Sequence, residues 1–217
     1  MVKKIVVSLG GSIINAGSID DDFLKGFKKV LFKSNNIFYI VCGGGKLARN
    51  YIGSAKNLGV KGVELDEIGI KATELNAELV AKILGVKRSK DLDQAVTNSS
   101  KIVVTNGLFP GVTTDFDAVV IASLVKADCL INLSNVKGVY DKDPNKYADS
   151  KFLKKLSYDK LISLANEFEL GSGANFIFDL AASKVAKRTK TKLVFMQGLD
   201  NFSKFLQKKA FTGSIIE

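Results

Sequence analysis

Histidine is missing from all 217 residues, and its absence removes whole classes of chemistry. No Ser-His-Asp triad, imidazole general base or His-ligated metal can be built from this chain. Cysteine is nearly missing too. Cys42 and Cys129 are far apart, each inside an apolar run, with no CxxC pattern for zinc or redox work. They read as small buried hydrophobes in a reducing, cytoplasmic setting. Arginine is scarce: Arg49, Arg88 and Arg188 are the only three, so the formal charge of +10 is almost entirely lysine. Nucleic-acid readers lean on arginine for bidentate contacts. These lysines are scattered without a long like-charged block, which favours a solvated surface over a nucleic-acid footprint. Such a field would still attract phosphorylated small molecules. No charged-then-apolar leader opens the sequence, and the longest uncharged apolar stretch, 118–125, is too short to span a bilayer.

The common nucleotide signatures are absent as well. Lys46 follows Gly45 but precedes Leu47, so no Walker A motif exists, and no GxGxxG follows the first apolar run. Glycine is present in another arrangement. Ser8-Leu9-Gly10-Gly11-Ser12 follows Lys4-Ile5-Val6-Val7, and Gly43-Gly44-Gly45-Lys46 follows Phe38-Tyr39-Ile40-Val41-Cys42. Each cluster sits between a strand-like and a helix-like segment, where backbone N–H groups can hold an anionic oxygen at the positive end of a helix. A Cβ there would hinder both the turn and the ligand's approach. Two such loops on neighbouring strands suggest a site that handles phosphate on both sides.

Short β-branched runs predict strands over 4–9, 37–42, 101–106, 129–133 and 192–196, with 213–216 as a last edge strand. Helical periodicity predicts helices over 20–33, 46–58, 64–84, 117–126, 158–164 and 177–188. The alternation implies an α/β fold: a three-layer αβα sandwich around a central, mostly parallel sheet, in a single domain. Between Val136 and Leu156 the helical rhythm stops and a hairpin is expected after the fourth strand. The loop Gly171-Ser172-Gly173-Ala174-Asn175 is expected to order on ligand binding.

Four segments together carry a specific resemblance: Val7-Ser8-Leu9-Gly10-Gly11-Ser12, Gly43-Gly44-Gly45-Lys46-Leu47-Ala48-Arg49, Pro110-Gly111-Val112-Thr113-Thr114-Asp115, and Asn135 through Pro144 with its Gly138-Val139-Tyr140. In this order and spacing they resemble the amino-acid kinase superfamily, within it the archaeal type of uridylate kinase, over essentially the whole chain. The resemblance implies Mg2+-dependent transfer of a phosphoryl group from ATP to UMP. It divides the domain into an acceptor lobe, about 1–127, and an ATP lobe, about 128–217. It also implies a homohexamer built as a trimer of dimers, with no nucleic-acid or membrane partner.

Position by position, the resemblance implies that Gly10, Gly11 and Ser12 lie against the transferring phosphoryl group. Gly44, Gly45 and Arg49 would hold the acceptor phosphate, with Asp66 at the ribose and Thr73, Thr113 and Thr114 near the acceptor. Asp115 would organise the centre and Lys184, in Asp179-Leu180-Ala181-Ala182-Ser183-Lys184, would bring a cation to the ATP phosphates. Ser134, Asn135, Tyr140 and Asp143 would contact ATP, and no residue is expected to form a dedicated metal site. Phosphoryl transfer needs charge neutralisation and alignment more than proton chemistry, so the lack of histidine is no obstacle.

The chain departs from the family pattern at Ser8, where many relatives have lysine, at Lys137, where an aspartate is usual, and at Leu108 and Val112, which replace polar residues. A sibling kinase with another small phosphorylated acceptor, or a non-catalytic nucleotide-binding regulator, are the alternatives these departures raise.

Overall fold

Alternation along each strand sets the layers. A computed structural model describes residues 1–144, 146–170 and 178–217, with the side chains of 168–170 excepted. The first strand, β1 (Lys4–Leu9), leads through α1 (Gly11–Ile14) and α2 (Asp21–Lys33) to β2 (Ile37–Cys42). Three helices follow, α3 (Gly45–Asn57), α4 (Val63–Leu84) and α5 (Leu92–Thr97), before β3 (Ile102–Thr105). Then come α6 (Thr114–Leu124), β4 (Cys129–Ser134), β5 (Lys155–Leu156), α7 (Tyr158–Leu170) and α8 (Leu180–Thr189). The chain continues through β6 (Leu193–Gln197), α9 (Gly198–Leu206) and β7 (Gly213–Ile216).

The strands form one seven-stranded sheet in the order β3-β2-β1-β4-β6-β7-β5. The first five in that order run parallel, while β7 is antiparallel to β6 and parallel to β5. Ile5, Val7 and Leu9 point to one face, where Phe27, Val80 and Phe202 pack on them from α2, α4 and α9. Val6, Val41 and Leu130 point to the other, against Ile121, Leu161 and Ala182 from α6, α7 and α8. Strands buried on both faces need apolar residues of both parities, which is why they read as continuous runs.

Three helices lie outside the sequence expectation: the one-turn α1 beside the first glycine loop, α5 and α9. α5 is a six-residue helix capped by Asp91, whose side chain accepts from the Gln94 N–H. α9 starts at Gly198, which has φ +80°, and buries Phe202. Helix α6 begins three residues earlier than periodicity indicated because Thr113 caps it, accepting from the Phe116 N–H. The strand 213–216 is not the sheet edge; the two-residue β5 lies outside it. The expected hairpin shrinks to one antiparallel bridge, Tyr140 with Phe152, flanked by backbone hydrogen bonds from Asp141 to Lys151 and Leu153 to Val139. Residues 171–175 lie outside the described residues.

From β1 the chain moves outward through β2 to β3, then α6 carries it back to β4 on the other side of β1. Ligand crevices in open α/β sheets form outside the carboxyl ends of strands at such a reversal. The sites named from the sequence mostly follow the carboxyl ends of β1, β2, β3 and β4.

Candidate active site

The two glycine loops touch through their backbones. A Cβ on Gly11 would lie 2.2 Å from the Gly45 nitrogen, and one on Gly45 would lie 2.2 Å from the Gly11 carbonyl carbon. Gly45 also has φ +58°, a left-handed turn that opens α3. Gly43 donates to the Leu9 carbonyl at 2.9 Å, and Gly10 donates to the Leu133 carbonyl at the same distance. Residues from β1, β2 and β4 thereby meet in one seam. Asn76, buried in α4, braces the second loop by donating to the Gly43 carbonyl at 2.8 Å.

Strand parity builds the polar centre. Ser8 and Asn132 are register partners on β1 and β4, on the face toward α6. Both donate to the same Asp115 oxygen, Ser8 Oγ at 2.7 Å and Asn132 Nδ2 at 3.0 Å. Asp115 as a residue is half-buried, but its carboxyl is turned inward onto these two groups. Burial pushes that carboxyl up to about 7; the Ser8 and Asn132 hydrogen bonds oppose the shift and the nearby Asp179 adds to it. Asp115 therefore changes charge near neutrality, and a cation brought beside it would hold it ionised. Ser8 thus serves as an anchor for the carboxylate.

Asp179 links the openings of two helices. Its carboxylate caps α8 by accepting from the Ala182 N–H at 2.7 Å, and it accepts a hydrogen bond from the Thr113 hydroxyl, the cap of α6. Thr114 lies in the other direction: a Cβ on Gly43 would sit 3.5 Å from its Oγ1 and one on Gly107 3.3 Å from its methyl. Thr73 is buried, with its hydroxyl donating to Ile70 and accepting from the Gly107 N–H at 3.0 Å. It shapes the acceptor-side loop from beneath. Asp66, in the first turn of α4, accepts from the Gly111 N–H at 3.0 Å, so it pins the far end of the same loop.

Asp117 is 1% exposed and holds the Leu108 N–H at 2.9 Å, with its other oxygen buried and without a partner among the described residues. Burial pushes its carboxyl up to about 6; the Leu108 hydrogen bond opposes this and Asp179 reinforces it.

Arg49 is exposed and reaches across the seam to donate to Ser12 Oγ at 3.1 Å. Lys184 is exposed on the second turn of α8, and among the described residues it has no ion pair or hydrogen bond. Ser134 ends β4, and a Cβ on Gly10 would approach its Cβ to 3.4 Å. Asn135 is exposed just beyond it. Tyr140 is packed edge-on to Phe152 at 5.3 Å, and Asp143 lies in the following turn. Ser8, Asn76, Asp117, Asn132 and Asp179 are the residues of this centre that the site expectation did not include.

The profile of the amino acid kinase family matches residues 3–197. This chain belongs to that family. The match spans every element from β1 through β6, including both glycine loops and the Asp115 centre. The uridylate kinase of Thermoplasma volcanium is 39% identical, across 100% of this chain and 99% of that protein. The uridylate kinase of Methanocaldococcus jannaschii is 37% identical, across 99% of each. The crystal structure of uridylate kinase from Archaeoglobus fulgidus superposes with a TM-score of 0.84 at 35% identity, covering 99% of this chain and 100% of that one. The superposition bears out the expected α/β fold with a central, mostly parallel sheet.

Proposed function

We propose that the protein is a UMP kinase: a nucleoside monophosphate kinase that transfers the γ-phosphoryl group of ATP to UMP, giving ADP and UDP. The observation that carries this reading is the fused glycine seam beside Asp115, in a chain matched end to end by uridylate kinases. An oxygen of the UMP phosphate attacks the γ-phosphorus, a new P–O bond forms, and the bond to the β-phosphate oxygen breaks to release ADP. The nucleophile is already anionic, so no general base is required and a histidine-free site suffices.

Gly10, Gly11 and Ser12 would present N–H groups to the transferring group, and Lys184 would balance its charge. Gly44, Gly45 and Arg49 would hold the UMP phosphate from the other side of the seam. Asp115 would orient the lysine. Asp66, Thr73 and Thr114 would act on the acceptor largely through the 106–114 loop, while Thr113 would tie the acceptor side to the nucleotide side through Asp179. Ser134, Asn135, Tyr140 and Asp143 would form the ATP edge, dividing the chain into an acceptor half (1–127) and an ATP half (128–217).

Mg2+ is typically bound by one or two carboxylates together with substrate phosphates and water. With Asp117 buried against the Leu108 loop, Asp115 and Asp179 are the carboxylates left to this centre, and no group of three or more metal-ligating side chains occurs among the described residues. That donor set fits a cation carried by ATP, which would neutralise phosphate charge. We place the reaction in cytoplasmic pyrimidine nucleotide synthesis and the chain in a homohexamer. Among the described residues, no helix is long and apolar enough to cross a membrane.

The decisive assay couples ADP release to a readout with ATP, Mg2+ and UMP, CMP, dUMP, AMP or GMP. Turnover concentrated on UMP is expected. Folded protein that binds UMP and ATP without turnover would instead identify a regulator, and turnover only with another acceptor would identify a sibling kinase.

A further inference from the structure

At the opposite end of the sheet from the glycine seam, where the strands begin, lies a cavity of about 720 Å3. It opens between the amino ends of β1 and β4, the last turns of α2 and the end of α9. Lys3, Lys29, Lys33, Lys192, Lys208 and Lys209 line it, and Asp128 is the single carboxylate among the lining residues. Lysine makes up six of the nineteen lining residues, well above its share of the whole chain, so its abundance overall does not explain the cluster.

The cations are poorly compensated. Asp128 already accepts the Lys4 backbone N–H at 2.8 Å. Lys192 pairs with Glu217 at 2.6 Å, but Lys3, Lys29, Lys33, Lys208 and Lys209 have no ion pair among the described residues. The bland account is that lysines gather here to balance helix ends, since α2 and α9 both terminate at this end of the sheet. Two helix C-termini carry together only about one negative charge. Even with Asp128 and Glu217 added, roughly three positive charges stay unbalanced around one concavity. Its floor is apolar: Ile5, Val30, Phe205, Leu206 and Phe211, with the last aromatic edge-on to Phe205 at 5.2 Å. The volume falls within the range of about 300–1,000 Å3 that holds small ligands.

We propose that this cavity is a second anion site, separate from the glycine seam, that binds an oligophosphate of about three to four negative charges. The lysines hold the phosphates as point charges. The apolar floor accepts an organic group where the oligophosphate carries one. Inorganic tripolyphosphate and a nucleoside triphosphate share the chemistry and differ only in their use of the floor.

The site is tested on the full chain by lysine footprinting. The protein is acetylated with and without tripolyphosphate, and modification is read residue by residue in a mass spectrometer. Lys29, Lys33 and Lys209 are expected to be protected, while Lys56 on α3 is not. A Lys29→Ala/Lys33→Ala/Lys209→Ala variant should weaken calorimetric binding of tripolyphosphate at least tenfold. The same three positions as arginine should restore it, and Lys184→Ala should leave protection at this cavity unchanged. Repeating the footprint with ATP distinguishes the sources, because added protection of Met1 and the neighbouring Lys3 with only the nucleotide would assign the floor to its base. Protection confined to Lys184 and Lys46 would overturn the proposal, as would equal affinity in the triple-alanine variant. Because the footprint does not depend on turnover, it stands or falls separately from the UMP kinase assay.

Discussion

Gly11 and Gly53 are the same residue type under opposite constraints. A methyl on Gly11 would fall 2.2 Å from the Gly45 nitrogen and 2.5 Å from the Gly44 carbonyl carbon, whereas one on Gly53 meets nothing within 4 Å. Gly11→Ala must therefore push the touching backbones apart, and activity should fall at least a hundredfold with a clear drop in Tm. Gly53→Ala, inside α3, should leave activity intact and stabilise by about 0.5–1 kcal/mol, because alanine costs less backbone entropy in a helix. Equal effects in thermal melts and ADP-release assays would remove the seam from the mechanism. Lys184 is exposed and unpaired among the described residues, so Lys184→Met should spare the fold. Its kcat should drop about a hundredfold with little change in the KM for UMP, as expected for a charge used mainly in the transition state. Unchanged turnover sinks that role. Asp115 supplies a further check. Its carboxyl stands near 7 with Ser8 as a donor to it, so Ser8→Ala should move the acid limb of the kcat/KM pH profile to higher pH. A limb that stays in place would show that this ionisation does not govern activity.

Elements explain what could and could not be read from the sequence. The inner strands were legible because residues 4–9, 37–42 and 129–133 are buried on both faces and are apolar at nearly every position, Lys4, Ser8 and Asn132 being the exceptions. α5 was not, because six residues are too few to show a helical period. α9 escaped because it begins on a glycine and directly follows a strand, without a polar cap of its own. Both glycine loops were visible from local order, while the partners of Asp115 were not. Ser8 and Asn132 meet only through the β1–β4 register, which pairs residues 124 positions apart, and nothing local to either residue announces it. Asp117 was likewise hidden, since its role depends on α6 packing beneath the Leu108 loop. Its folded-state value near 6 lies above the ordinary carboxylate value of 3.8. The folded state thus holds the extra proton between those values, and stability falls as pH rises through the window from about 4 to 6. Asp117→Asn should raise stability at pH 8, by a margin on the order of 2 kcal/mol, and the gain should shrink toward pH 4. Denaturant titrations at the two pH values measure it; a gain independent of pH would contradict the buried-charge account.

The whole molecule carries a formal charge of +10, while the proposed substrates are anions. That field should speed encounter and be screened by salt. Between about 0.05 M and 0.3 M salt, kcat/KM for UMP should fall several-fold while kcat holds steady. A flat salt profile in initial-rate measurements would confine electrostatics to the site itself. The sheet order has another consequence, one of timing. β1 is made before β4, and β4, the strand on its second edge, begins 124 residues after its partner positions. At about 5–20 residues per second, a ribosome leaves that edge without its partner for roughly 6–25 seconds. During that interval Ile5-Val6-Val7 is an edge of an unfinished sheet, open to any other strand that passes. The strand that supplies Asn132 to the active centre is thus also the one that closes the nascent chain against its neighbours.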